Sequence, residues 1–156
     1  MKKTVFPLLL LLVAVSSCLD ESSHLTIPYA PVSFKIDLEG SDFLLKTPLS
    51  FITFSEKEKR LPSDRFGFSG LLIVSNATGD AIYAYDLCCP YEDSRVIRVI
   101  PGNEGKAGCP SCGSVFVTMF GDNMYGYGSV ESGPATEPLQ SYRVASLPFG
   151  KYTIMN

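Results

Sequence analysis

Histidine is nearly absent from this chain. The 156 residues include one histidine, His24, close to the N-terminus. No nucleophile or acid is spaced around it as in a hydrolase triad, and the chain has no glycine-rich phosphate loop. Sites in which two imidazoles bind one metal ion are excluded. The sequence therefore indicates no catalytic constellation, and we expect that the chain alone is not an enzyme.

Basic residues are also few. The chain has 13 lysines and arginines against 16 aspartates and glutamates. Without Lys2 and Lys3, which belong to the N-terminal segment discussed next, 11 basic residues remain and the formal charge is −5. Binding to a phosphate backbone needs a basic patch, so this charge balance excludes a nucleic-acid partner.

The N-terminal segment has neither a twin-arginine pair nor an apolar run that could span a bilayer. Lys2 and Lys3 precede the apolar run 8–15, and two serines follow. This order is typical of an export signal. The run is much shorter than the roughly 20 residues of a transmembrane helix. We predict that residues 1–17 are a signal peptide and that the chain is exported unfolded.

The end of this segment, Val15-Ser16-Ser17-Cys18, resembles the lipobox of bacterial lipoproteins. In that family the signal is cleaved before the cysteine, which carries the lipid. The resemblance implies a lipid anchor at Cys18 that binds the membrane, followed by a tether up to residue 31. It also implies a place in the bacterial cell envelope, facing the periplasm or the cell exterior.

Short β-prone runs separated by turn signals predict one all-β domain over residues 32–156, an antiparallel sandwich or barrel. Apolar and polar residues alternate cleanly in the first run, and no amphipathic helix is apparent. The charged segment 55–65 predicts a solvated loop or a short helical turn. The predicted strands are 32–38, 49–54, 68–74, 81–86, 95–100, 115–120, 139–144 and 152–155, with a hairpin over 68–86.

Apart from Cys18, the cysteines fall in two short segments. Cys88 and Cys89 stand before a proline, and Cys109 and Cys112 flank a Pro-Ser pair. Each segment follows a strand and reads as a loop. Loops that converge at one end of a rigid sheet can supply sulfur ligands to a metal or a cluster. We therefore expect a small subdomain of loops that gathers these sulfurs.

Three segments resemble the Rieske iron–sulfur family. Cys89-Pro90-Tyr91 is similar to the family's Cys-x-His loop, and Cys109-Pro110-Ser111-Cys112-Gly113-Ser114 to its Cys-Pro-x-His-Gly-Ser loop. Gly133-Pro134-Ala135 is similar to the Gly-Pro-Ala loop that covers the cluster. The resemblance implies a Rieske-like β fold with site loops at 87–93, 108–116 and 131–139.

The resemblance also implies the ligands. Cys89 and Cys109 occupy the places of the family's two thiolates, and Tyr91 and Cys112 occupy the places of its two histidines. A thiolate is negatively charged where imidazole is neutral, so any cluster here should have a lower reduction potential than a Rieske centre. Tyrosine is a poor replacement, because its phenol ionises only near pH 10.

Further residues complete the implied site. Ser114 occupies the place of a serine that hydrogen-bonds a cluster sulfur, and Gly133 and Pro134 belong to the covering loop. Cys88 has no counterpart in the family. It could supply another thiolate only if the loop curls, because neighbouring residues of an extended chain point to opposite sides.

Four interpretations of the cysteines stay open. The thiolates could hold a [2Fe–2S] cluster, or zinc, which accepts tetrahedral sulfur sites. They could instead form disulfides without any metal, with Cys89 joined to Cys109 or Cys112. Finally, Cys109 and Cys112 could be a reactive redox pair, although no helix N-terminus follows to lower a thiol pKa. The missing histidines, Tyr91 and export in an unfolded state favour the metal-free interpretation.

The sequence thus supports two functional expectations. The first is a lipid-anchored redox module with a cysteine-rich [2Fe–2S]-type site, which passes electrons to an unidentified redox protein. The second is a Rieske-like domain without a cluster, stabilised by disulfides or zinc, which acts as a binding or structural module for a protein partner.

Overall fold

The computed structural model of the chain describes residues 26–119 and 127–156. The predicted signal peptide, Cys18 and His24 lie outside the described residues. Within these two ranges there is no α-helix, and the regular structure consists of β-strands and two 3₁₀ helices. The predicted all-β class is therefore confirmed. In the same two ranges, no helix has the length and apolar character needed to cross a membrane.

Eleven strands are present in the described residues. In chain order they are β1 (Val32–Asp37), β2 (Phe51–Phe54), β3 (Arg65–Phe66), β4 (Leu71–Ser75), β5 (Ile82–Asp86), β6 (Ile100–Pro101), β7 (Lys106–Gly108), β8 (Val115–Val117), β9 (Val130–Ser132), β10 (Ser141–Leu147) and β11 (Lys151–Met155). The 3₁₀ helices span Phe43–Lys46 and Glu56–Glu58.

Seven strands form a nearly closed, barrel-like antiparallel sheet in the order β2-β4-β5-β10-β11-β1-β3. The side chain of Phe34 in β1 packs against Phe54 of β2, with ring centroids 4.5 Å apart. It also packs against Phe66 of β3 at 5.1 Å. Because β2 and β3 are the two edge strands, one aromatic cluster draws both edges together and buries the inner face of the sheet.

The alternation in β1 works as the sequence predicts. Val32, Phe34 and Ile36 are buried in the barrel core, whereas Ser33 and Lys35 are exposed. Full burial of each large apolar side chain contributes about 1.5–3 kcal/mol. The inner face of this strand therefore packs in the barrel core, and its polar outer face is exposed to solvent.

Strand β4 is buried on both faces and joins two hydrophobic cores. Leu71 and Ile73 belong to the barrel core, while Leu72 and Val74 belong to a second core. The second core lies against a four-stranded sheet in the order β6-β7-β8-β9. The predicted hairpin 68–86 is present as β4 and β5, with Ile73 opposite Ala84. This two-sided packing holds the small sheet on the barrel.

The charged segment 55–65 forms a short helical turn, but one of its charges is not simply solvated. Arg60 donates from Nη1 to Oδ2 of Asp42 at 2.8 Å, and Asp42 is only 1% exposed. The guanidinium also lies over the ring of Phe34, 5.1 Å from its centroid. Arg60 therefore covers the open side of the aromatic cluster that closes the barrel.

Two predicted segments differ from the structure. Only the end of the run 95–100 joins a strand, because the chain turns at Ser94, whose carbonyl accepts from the N–H of Ile97 at 3.3 Å. The last part of the predicted tether, residues 26–31, lies on the barrel rather than free of it. Ile27 is buried, and the N–H of Thr26 donates to Oε1 of Gln140 at 3.1 Å.

Candidate metal centre

The second cysteine loop is the hairpin between β7 and β8. The N–H of Cys109 donates to the carbonyl of Ser114 at 2.8 Å and closes the loop at its base. Inside it, the N–H of Gly113 donates to the carbonyl of Cys109 at 3.1 Å. Gly113 has φ of +75°, a conformation that glycine adopts without strain. This tight turn carries Cys112 back beside Cys109.

The first cysteine loop has the same backbone turn. The N–H of Asp93 donates to the carbonyl of Cys89 at 3.0 Å, and Asp93 has φ of +44°. As in the second loop, a proline follows the first cysteine, and the residue four positions after that cysteine has a left-handed conformation. The two loops therefore match residue by residue from Cys89 to Asp93 and from 109 to 113.

Three sulfurs from these loops lie together. The Sγ atoms of Cys89, Cys109 and Cys112 are all within 4.8 Å of one another. The Sγ atoms of Cys89 and Cys112 are 3.7 Å apart. Cys89 and Cys109 are buried and belong to the second core, while Cys112 is half-buried. The group therefore joins the two loops at the rim of the small sheet.

Cys88 lies away from this group, although it is fully buried. Its S–H points to the carbonyls of Cys89 and Ser94, at 3.5 Å each. The strand-like alternation of side chains continues through Cys88 and Cys89, so these two side chains point to opposite sides. Of the four predicted sulfur ligands, the structure brings together all except Cys88.

Tyr91 lies on the outer side of the first loop. Its side chain is 57% exposed, in contrast to the buried Cys89 two residues earlier. The three-sulfur group does not include Tyr91. In this arrangement the place that the resemblance gives to a histidine ligand contributes no donor atom.

The predicted supporting residues contact the second loop. Ser114 is buried, and its Oγ accepts from the N–H of Ala135 at 3.0 Å and from the S–H of Cys112 at 3.1 Å. Gly133 has φ of +99°, and a Cβ there would collide with Cα of Ser114. The loop 131–139 therefore packs directly on the second cysteine loop at these two residues, while Pro134 is exposed.

The three thiols with perturbed pKa values differ in direction. Burial raises the pKa of Cys89 to about 12, although the backbone N–H groups of Tyr91 and Glu92 work against it. Burial also raises the pKa of Cys88 to about 11, with help from the Asp86 carboxylate. For Cys112, burial acts in the same direction but is outweighed by hydrogen bonds with the side chain and backbone of Ser114 and with the thiols of Cys109 and Cys89, so its pKa lies below the usual value. Cys112 is therefore the most acidic of these three thiols.

Asp86, which the sequence analysis did not single out, positions the start of the first loop. Its carboxylate accepts from the N–H groups of Phe68 at 2.6 Å, Ser69 at 3.0 Å and Cys88 at 2.8 Å. It also accepts from the hydroxyl of Tyr142 at 2.7 Å. The only sequence signal is an acidic residue at the end of an apolar strand, directly before the cysteines.

The sulfur geometry fits a single tetrahedral metal ion. With metal–sulfur bonds of about 2.3 Å, two thiolates on one zinc ion lie about 3.8 Å apart. The observed separation of 3.7 Å between Cys89 and Cys112 is close to this value. A [2Fe–2S] cluster divides its ligands between two irons, so some of its thiolates must lie farther apart. The Cys89–Cys112 pair therefore has the spacing of two thiolates on one thiophilic ion, and the third sulfur lies within 4.8 Å of both.

No protein-family model matches this chain, and no curated protein matches it. Three cysteine sulfurs in a mostly buried position are a donor set that could hold a soft or borderline cation.

Proposed function

We propose that this chain is a lipid-anchored, Rieske-like metal-binding module of the bacterial cell envelope, in which Cys89, Cys109 and Cys112 bind one zinc ion. The observation that carries the proposal is the approach of three sulfurs to within 4.8 Å of one another. Zinc bound there would cross-link the two loops and fix the small sheet, which is a structural role. The surface of the two loops, ordered by the bound zinc, would then be available to a protein partner.

The surroundings of the sulfurs support this role. Three thiolates leave a net negative charge on a zinc site, which is costly to bury unless donors surround it. Burial raises the pKa of Cys89 to about 12 overall, but the backbone N–H groups of Tyr91 and Glu92 oppose this rise, and hydrogen bonds with Ser114 help to lower the pKa of Cys112. These donors favour the thiolate form that a metal requires.

The contact between loop 131–139 and the second cysteine loop supports the Rieske-like part of the proposal. In that family the Gly-Pro-Ala loop covers the site, and here the backbone of Gly133 lies directly on Ser114. The lipid anchor and the envelope location depend on the sequence at Cys18. The net acidic composition supports a protein or membrane partner rather than a nucleic acid.

An iron–sulfur electron-transfer module is the second candidate. The observation in its favour is the position of the Ser114 Oγ, 3.1 Å from Sγ of Cys112, because this hydroxyl could donate to Cys112 as a thiolate and donors to sulfur tune cluster potentials. Cys89 and Cys109 would bind one iron, and Cys112 would have to move outward to bind the other. With thiolate in place of imidazole, its potential should approach the roughly −400 mV of plant-type ferredoxins.

Metal analysis of the purified full chain in detergent tests both candidates. We expect one zinc ion per chain and no visible absorption. Iron with acid-labile sulfide and sulfide-to-iron bands would instead establish the second candidate. Neither metal, together with oxidised thiols in the mass spectrum, would overturn both and favour the disulfide interpretation.

Two cysteine variants form a matched pair for this experiment. Cys112→Ser removes one of the three grouped sulfurs and should abolish stoichiometric zinc. Cys88→Ser alters a fully buried cysteine outside the group and should retain zinc. Loss of zinc in Cys88→Ser alone would contradict the proposed ligand set.

A further inference from the structure

Three protein ligands leave one position of a tetrahedral zinc ion open, whereas structural zinc sites have four protein ligands. The two residues that the sequence offers for this position are poorly placed. Cys88 directs its S–H to the carbonyls of Cys89 and Ser94, and Tyr91 is 57% exposed. If the site is structural, its fourth protein ligand therefore comes from another residue near the three sulfurs.

The match between the two loops identifies a residue for this position. Each loop begins with Cys-Pro, and in each the fifth residue is left-handed and donates its N–H to the carbonyl of the first. In this superposition Cys89 corresponds to Cys109, and Glu92 corresponds to Cys112. In the second loop, the first and fourth side chains both contribute to the sulfur group.

Burial follows the same pattern in both loops. Glu92 is half-buried between the exposed residues Tyr91 and Asp93, as Cys112 is between exposed neighbours in the second loop. The backbone N–H of Glu92 donates to the carbonyl of Cys89 at 3.2 Å, which holds Glu92 within the turn of the first loop. The fourth residues of the two loops therefore match in position and in burial.

The Glu92 carboxylate is not engaged elsewhere in the described residues. None of the ion pairs formed within residues 26–119 and 127–156 involves it. Carboxylate oxygen is an ordinary zinc ligand, with a bond of about 2.0–2.2 Å. Three side-chain torsions let this oxygen approach an ion held by the cysteines, although it lies outside the 4.8 Å sulfur group.

We infer that Glu92 is the fourth ligand and that the site is a Cys₃Glu zinc centre. This inference depends on the proposed zinc-binding function and adds a ligand to it. The centre takes two donors from each loop, Cys89 and Glu92 from the first and Cys109 and Cys112 from the second. Zinc thereby closes a nearly symmetrical pair of turns.

Cobalt substitution and zinc competition on the full chain in detergent test this assignment. Glu92→Gln should weaken zinc binding, measured against a chromophoric chelator, by about tenfold or more. Glu92→Cys should restore tight binding and raise the thiolate-to-cobalt absorption by about one third, the ratio of four thiolates to three. Asp93→Asn, which alters the neighbouring exposed acid, should leave both quantities unchanged.

The outcomes separate the ligand assignment from the zinc proposal. If the unaltered chain binds zinc while Glu92→Gln binds it equally well and Glu92→Cys adds no absorption, the Glu92 assignment is wrong and the three-cysteine site stands. If the unaltered chain binds neither zinc nor cobalt, both proposals are overturned. Circular dichroism of each variant checks that the fold is retained.

Discussion

The reactivity of single cysteines should follow their different surroundings. In the metal-free chain near neutral pH, we expect iodoacetamide to modify Cys112 well before Cys88 or Cys89. Cys112 is half-buried with a lowered pKa, whereas burial raises the pKa of Cys88 to about 11 and of Cys89 to about 12. A thiol with a pKa of 11 is ionised in on the order of one molecule in ten thousand at neutral pH, and only the thiolate reacts.

Peptide mass spectrometry after timed labelling measures this order. Zinc added before the reagent should protect Cys112, which provides the internal control. Modification of Cys88 at the same rate as Cys112 would show that the two thiols share one environment, in conflict with the structure.

At the level of residues, the sequence predicted much of the candidate site. The second loop with Cys109, Cys112 and Ser114 could be predicted because all its residues are close in sequence. Which residue would be the fourth ligand, Cys88, Tyr91 or another, could not be predicted from the sequence. It depends on which way side chains leave the first loop, and that direction is set by a backbone turn at Asp93 that has no glycine to reveal it.

The connections between strands depend strongly on Asp86 at the end of β5. We expect Asp86→Asn to lower the free energy of unfolding by about 1–3 kcal/mol, because an amide presents an NH₂ group to donors that the carboxylate now satisfies. Those donors are the N–H groups of Phe68, Ser69 and Cys88 and the hydroxyl of Tyr142. Urea denaturation followed by circular dichroism measures the change.

Tyr142→Phe is the control for this prediction. It removes one hydrogen bond to Asp86 and leaves the three backbone donors paired, so its cost should be about 1 kcal/mol. If both variants lose the same stability, the backbone donors contribute nothing and Asp86 does not order the first loop.

The elements that the sequence predicted are those with strong local patterns. Alternation indicated β1, and the apolar runs on both sides of a turn indicated the β4–β5 hairpin. The run 95–100 was predicted as a strand, but its apolar residues do not alternate between the two faces of a sheet. Val99 is buried in the second core while Val96 is 85% exposed, and the segment mainly returns the chain from the first loop. Strands β3, β7 and β9, of two or three residues, are too short to show any periodicity.

In the molecule as a whole, the candidate site belongs to the second hydrophobic core and lies at the rim of the small sheet. The barrel core is complete without the cysteines, whereas Cys89 and Cys109 are members of the second core. A metal bound by them would therefore stabilise chiefly the small sheet and its loops.

The proposed lipid anchor at Cys18 would limit the distance between the domain and the membrane. Seven residues separate Cys18 from Thr26, and this length spans at most about 30 Å. From Thr26 and Ile27 onward the chain is packed on the domain, so lipid at Cys18 would keep the domain close to the bilayer.

We expect Cys18→Ala to move the protein from the membrane fraction to the soluble fraction, because at least two buried acyl chains are needed for stable anchoring. Fractionation followed by immunoblotting measures this shift, and Cys88→Ser serves as the cysteine control that should stay with the membrane. If Cys18→Ala remains in the membrane fraction as the unaltered chain does, the anchor lies elsewhere and the lipobox interpretation is wrong.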